Sequence, residues 1–254
     1  MVQLKNGDWW FVIMQDRGAI GRVPCLLPVT WEDGWPMLGA GGRDAITYPM
    51  PAAGRQRKAR HVETSDYFSS PTLGLQWQWN HNPDPALWSL TERRGYMRLK
   101  ARAAADLMTA RGTLTQRVQG PVATATSVMD FTGLQDGNTA GFGIFEDPYA
   151  FLAIRQREGR RTLIACRNGT DTENIDIPQQ ASRIWLRVYT TVQEESASFA
   201  YSWDGRHFTP CGERLKMGLG LPWTANRYAL FCFGEEGRET TGYADFDEFT
   251  LQTN

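Results

Sequence analysis

Histidine and cysteine are both sparse, with three His and four Cys in 254 residues. Cys25, Cys166, Cys211 and Cys232 are scattered, with no CxxC pair and no histidine at ligand spacing, which excludes a zinc site. Nothing in their placement demands a disulfide. An excess of one charge is missing too: 27 basic against 28 acidic side chains leave a net charge of -1, so no basic track exists for a nucleic-acid backbone. The opening MVQLKNGDWWFVIM has neither a basic head nor a long apolar run, so it predicts neither a signal peptide nor a membrane span. Helical periodicity is hardly visible, apart from a possible turn near Ala103 to Met108.

Aromatic residues are what the chain has in surplus: ten Trp, twelve Phe and eight Tyr. Such rings fill sandwich cores and also form platforms for sugars, and the first use is the commoner. The organising stretch is Leu73 to Arg98. Leu75, Trp77 and Trp79 alternate with Gln76, Gln78 and Asn80, which predicts a half-buried strand with an oily face and an amide face. Carboxamides donate and accept together, as a sugar hydroxyl does. The expectation is that Gln76, Gln78, Asn80 and His81 lie on or beside a ligand face, with Trp77 and Trp79 beneath as core. In the opposite register the amides would be buried and need every hydrogen bond satisfied. Asn82 to Pro85 break the strand, and Trp88 to Leu90 resume it.

The rest reads as short strands with frequent Gly, Asn and Asp turns. Lys5 to Asp8 make a hairpin loop, and Trp9 to Met14 form an apolar run typical of a strand buried on both faces. Residues 39–61 carry Gly, Pro and clustered Arg and Lys without apolar period, and read as a linker. Beyond it, Met97–Arg102, Leu114–Arg117, Ala123–Phe131, Ala140–Phe145, Phe151–Arg157, Thr162–Arg167, Ile184–Thr191, Ser196–Trp203, Arg227–Gly234 and Gly242–Leu251 are the predicted strands. Their number and spacing imply an all-β antiparallel sandwich or jelly roll. Phe199, Tyr201 and Trp203 alternate onto one face, expected to be core, and Asp204-Gly205 supplies a hairpin turn.

The pieces Asp16-Arg17-Gly18, Gly21-Arg22-Val23-Pro24, Leu27-Pro28-Val29 and Trp31-Glu32-Asp33-Gly34-Trp35-Pro36 resemble the end of the five-bladed propeller of family 43 glycoside hydrolases. The later LGLQWQWNHNP, WSLTERRGYMRL, LTQR, YSWDG and GYADFDEF are similar to the concanavalin A-like β-sandwich that follows the propeller in its β-xylosidase and arabinofuranosidase members. The resemblance implies a remnant of the last blade in residues 1–38 and a sandwich over 62–254. It also implies that the acids for hydrolysis sit on earlier blades. Arg22 matches an arginine that reaches toward the sugar in the propeller centre; by itself it reads as a charged turn residue. The family often places an aromatic from the loop holding Trp223 near its pocket, the alternative being a loop anchor.

Two carboxylates, Asp245 and Asp247, alternate onto one face of a strand and offer an acid and base pair. A hard cation explains clustered acids at a sandwich end better, and Glu63, Asp66 and Asp247 are the expected calcium ligands, since calcium takes several oxygens. Sandwiches of the resembled family often carry such a calcium; a solvated, metal-free edge is the alternative. Arg98 and Arg117 are expected on the same surface as Gln78. The function expected is a noncatalytic module binding xylan or xylo-oligosaccharides beside a catalytic propeller partner. A glycosidase part using Asp245 and Asp247, and a purely structural sandwich, are the competing readings.

Overall fold

The computed structural model describes residues 1–39, 48–52, 64–218, 224–238 and 240–253. It is all-β apart from short 3-10 turns at Gly18–Ile20 and Pro85–Leu87, and every strand pairing is antiparallel. None of the described helices is long and apolar enough to cross a membrane. All four cysteines are free. Contacts divide the chain into one unit of residues 1–17 and 22–62 and a second of 18–21 and 63–254.

The first unit is a four-stranded meander of Val2–Gln3, Trp9–Asp16, Arg22–Glu32 and Trp35–Leu38. Gly7, at φ 94°, turns the first hairpin, and the Leu4 amide donates to the Asp8 carbonyl at 2.8 Å. The strand from Trp9 departs from its expected double burial. Trp10 is buried, but Val12 and Met14 are 62% and 61% exposed. An apolar run reports that a strand seeks cover, not that this sheet supplies it.

In the second unit a seven-stranded sheet runs in the order Thr170–Asp176, Arg160–Arg167, Ala150–Arg157, Asn138–Phe145, Arg227–Gly234, Thr113–Arg117, Gln78–Trp79. It faces an eight-stranded sheet in the order Thr209–Pro210, Ser196–Ser202, Arg183–Thr191, Val122–Asp130, Tyr243–Thr253, Met97–Lys100, Trp88–Ser89, with Leu215–Lys216 also pairing Ser196–Ser202. Alternate residues of both sheets fill the layer between them: Leu114, Phe142, Ile154 and Leu230 from one, Met97, Met129, Leu186 and Phe249 from the other. This is a concanavalin A-like β-sandwich, each strand giving one side chain in two to the core. Phe199 belongs to that core, with Tyr201 and Trp203 packed against it.

The long strand Tyr243–Thr253 shows how local irregularity serves the core. Phe246 pairs with Met129 and Phe249 with Ser127, so the register shifts by one residue at a bulge between Phe246 and Glu248. Without it Phe246 and Phe249, three apart, would point to opposite faces. Both are fully buried.

The seven-stranded sheet carries a second apolar cluster on its outer face. Phe151 and Phe231 stand on the strands flanking Asn138–Phe145, yet their ring centroids are 4.8 Å apart. Flanking strands lie about 9.6 Å apart, two spacings of ~4.8 Å, so the rings meet only if the strand between them has no side chains there. Gly143 and Gly141 stand opposite Phe151 and Phe231, and a Cβ on Gly143 would come within 2.5 Å of Phe151 Cβ. Leu107, wholly buried, closes the cluster from the loop between Lys100 and Thr113, and Tyr149 stacks on Phe151. The possible turn near Ala103 to Met108 is therefore a plug of non-helical turns over an otherwise oily face.

Candidate functional site

The expected strand from Leu75 is shorter than alternation implies: Leu75 and Gln76 form a turn, Leu75 is 103% exposed, and only Gln78–Trp79 pairs, against Thr115 and Leu114. Trp77 is nonetheless buried in the main core and Trp79 packs against it, which leaves Gln78 outward. Gln78 is exposed, and its side chain makes no hydrogen bond among the described residues. Its cross-strand partner Thr115 donates its hydroxyl to the Gln78 carbonyl at 2.8 Å. Two residues along the same face is Arg117, exposed, whose register partner on the next strand is Arg227. Gln78, Thr115, Arg117 and Arg227 thus form one polar corner of the seven-stranded sheet, at the margin of the apolar plug.

The other carboxamides do not extend this corner into a continuous lane. Gln76 Nε2 lies 3.3 Å from Asp66 Oδ2, so that amide is held at the edge of the core. Asn80 Nδ2 donates to the Met108 carbonyl at 3.2 Å, and His81 Nε2 lies 3.0 Å from the same oxygen, which requires the proton on Nε2. Asn80 and His81 therefore pin the plug loop. Each contact joins residues more than 25 positions apart in the chain, beyond the reach of a pattern of local alternation.

The Asp66 carboxylate accepts from the Phe68 amide at 2.8 Å, from the Trp77 indole at 2.8 Å and from Gln76, a set of donors that leaves it the hub of a turn. Asp247 pairs with Arg183 at 3.2 Å. Among the described residues no three His, Cys, Asp or Glu side chains gather as a metal cage. Glu63 lies outside the described residues; of the other two acids, Asp66 has donors on both carboxylate oxygens and Asp247 has Arg183 on one. Trp223 also lies outside the described residues. Arg22, in the first unit, follows the Gly18–Ile20 turn and pairs with Asp16 at 3.0 Å, its register partner.

Arg98 stands on the other sheet, contrary to the expectation that it shares a surface with Gln78. Met97 and Leu99 point into the core, so Arg98 points out from the eight-stranded sheet. Its Nε and Nη2 donate to Asp245 at 2.7 and 2.8 Å, and its guanidinium lies 3.8 Å from the Tyr243 ring centre. Arg93 joins the same carboxylate at 3.0 Å, bridges to Asp130 at 2.8 Å and stacks on Tyr96. Arg183 adds contacts to the Tyr96 hydroxyl and Asp247. Asp245 is 2% exposed within this network. Its hydrogen bonds and charge hold the Arg98 guanidinium well above its ordinary pKa. Burial of Asp130 opposes ionisation, but bonds from Thr132 and Arg93 outweigh it and set its pKa below the ordinary carboxylate value. The bulge places Asp247 and Asp245 in different surroundings, so alternation does not make them an acid and base pair. Bidentate guanidinium pairing suits Asp245 to holding strands together.

The fold and its two outer faces can now be set beside known proteins. The sequence model of the β-xylosidase C-terminal concanavalin A-like domain matches residues 65–252. The chain belongs to that family, the C-terminal sandwich of family 43 glycoside hydrolases. A β-xylosidase of Formosa agariphila is 31% identical over 98% of this chain and 46% of its own length. A non-reducing end α-L-arabinofuranosidase of Bacteroides ovatus is 34% identical over 65% of this chain and 33% of its own. A solved bifunctional family 43 and carbohydrate-esterase protein of Bacteroides eggerthii superposes with a TM-score of 0.85 at 33% identity, over 98% of this chain and 33% of that one. The chain spans about half the length of the curated β-xylosidases it matches.

Proposed function

We propose that this chain is a noncatalytic carbohydrate-binding module for xylan or arabinoxylan, working beside a family 43 catalytic propeller. One observation carries the reading: at the outward corner beside Thr115 and Arg227, the exposed Gln78 and Arg117 offer side-chain donors and an acceptor that make no hydrogen bond among the described residues. Hydroxyl-rich ligands are recognised by such mixed donors, each worth little, so affinity is modest. The substrate class follows from the relatives, which are named for β-xylosides and arabinofuranosides. The partner reading rests on the first unit, taken as the remnant of a last blade (1–38) tethered by a linker (39–61) to the sandwich (62–254). Its exposed Val12, Met14, Leu26, Trp31 and Trp35 form a large apolar surface for a small sheet, and the buried Trp10 indole N–H has no acceptor among the described residues.

Affinity electrophoresis in gels cast with arabinoxylan tests the binding half: retardation of the wild type, reduced in Gln78→Ala, is the expected result, and equal mobility with and without xylan refutes it. Hydrolysis of an aryl xyloside by the purified chain, lost in a folded Asp247→Ala variant, would instead establish catalysis. A purely structural role is favoured by the same gel if mobility is unchanged while the chain binds the separately produced propeller.

A further inference from the structure

The polar corner contains a pairing that a stable sheet avoids. Arg117 and Arg227 are direct register partners on antiparallel strands and share the outward face. Like charges placed so are mutually destabilising. Three half-buried arginines elsewhere, Arg93, Arg98 and Arg155, each meet an aspartate at 3.0 Å or less, and Arg161 and Arg187 are met by neutral oxygens. Arg117 has no hydrogen bond or ion pair among the described residues. Arg227 has Nη1 3.4 Å from Thr115 Oγ1 and Nη2 3.5 Å from Asn80 Oδ1, both at the limit of a hydrogen bond, and its buried Nε has no acceptor among the described residues.

Its guanidinium lies over Phe145, 4.7 Å from the ring centre, which holds the plane in place while its Nη donors make only long contacts. Glu146 is close enough to be felt electrostatically, but it is buried and its Oε2 accepts from the Thr224 hydroxyl at 2.6 Å. Burial lowers the Arg227 pKa, and Arg117 pushes in the same direction against Glu146. Two guanidiniums against one sequestered carboxylate leave the corner positive, with Gln78 beside it to address hydroxyls.

We infer that the Arg117 and Arg227 pair binds the carboxylate of an acidic sugar, so that the module prefers xylan chains carrying uronic acid branches over neutral ones. This deepens the proposed function and rests on it. A guanidinium pair recognises a planar carboxylate through charge-assisted bonds, while Gln78 meets the adjoining hydroxyls.

Isothermal titration of the full chain at low salt, with three probes, tests it: a xylo-oligosaccharide bearing one glucuronic acid branch, the neutral oligosaccharide of equal length, and inorganic phosphate. The branched sugar is expected to bind about tenfold tighter than the neutral one, as one charge-assisted contact allows. That preference is expected to vanish in Arg117→Gln, whose exposed position leaves the fold intact, and to shrink in high salt. Equal binding of the two sugars overturns the acidic preference and leaves the carbohydrate reading standing. Binding of phosphate but of neither sugar overturns both, as does binding of no probe. A preference that survives in Arg117→Gln also overturns the assignment.

Discussion

On the outer face of the eight-stranded sheet Arg93, Arg98 and Arg183 meet carboxylates, as Arg155 meets Asp171 on the outer face of the seven-stranded sheet, whereas at one corner of that second face Arg117 and Arg227 are paired with each other beside an apolar plug. Arg93, Arg98, Asp130 and Asp245 form a closed set in which every charge has a partner within the protein. The corner beside Gln78 is left open. The two faces have the same strand chemistry, so the difference lies in what the outward positions are asked to do. One holds the Met97–Lys100, Tyr243–Thr253 and Val122–Asp130 strands together. The other, at its open corner, is the surface on which the proposed ligand would sit.

The largest expected effect comes from breaking the closed face. Asp245→Ala removes the acceptor shared by Arg93 and Arg98 and leaves two half-buried cations short of a partner. A loss of about 3–5 kcal/mol follows, read as a shifted urea midpoint, and sugar binding at the opposite face is expected to survive in conditions where the variant is folded.

Next is the plug. Leu107→Ala opens a cavity against Phe151 and Phe231 and is expected to cost about 2–5 kcal/mol, as buried leucines do. If the unfolding free energy read from urea titration falls by less than a tenth of that, Leu107 does not close the second cluster.

Smaller again is a pH effect on the closed face. Glu248 is half-buried, and burial, with the neighbouring Asp247 adding, raises its pKa above the ordinary value of 4.5. A carboxyl whose pKa is raised on folding contributes stability while protonated, at pH below its unfolded value. That contribution is lost as pH rises through the unfolded and then the folded value. Glu248→Gln is therefore expected to melt about 1–2 °C higher than wild type at neutral pH, the shift that ~0.5 kcal/mol gives in a domain of this size. The two proteins are expected to coincide at pH 3. The smallest expected effect is that of calcium: with Asp66 and Asp247 both occupied by donors, added calcium or a chelator is expected to leave the melting temperature unchanged.

Much of this architecture was legible in the chain. The predicted strands agree with those observed to within a few residues wherever a buried alternation drives them, as from Arg227 to Gly234. Thr170–Asp176 was missed because it is a sheet-edge strand, largely exposed and rich in polar residues, with no oily face to announce it. The bulge at Asp247 was hidden because strict alternation assumes no inserted residue. Leu75 was misplaced inward because a turn, not a strand, holds it.

For the site, alternation did identify Trp77 as core and Gln78 as outward. It could not show that Gln76, Asn80 and His81 would be committed to Asp66 and Met108, since those partners are set by tertiary approach. Arg227 was overlooked for a related reason. Only the pairing register brings it opposite Arg117, and a single sequence carries no signal for register between strands 110 positions apart in the chain.

Central to this account is a sugar site at the open corner rather than on the closed face. The most direct measurement is a calorimetric titration of a linear xylo-oligosaccharide into the wild type, Gln78→Ala and a closed-face variant, Lys100→Ala. Binding that is weakened by Gln78→Ala and unchanged by Lys100→Ala is the predicted result. Binding that is indifferent to Gln78, or abolished by Lys100→Ala alone, would contradict it.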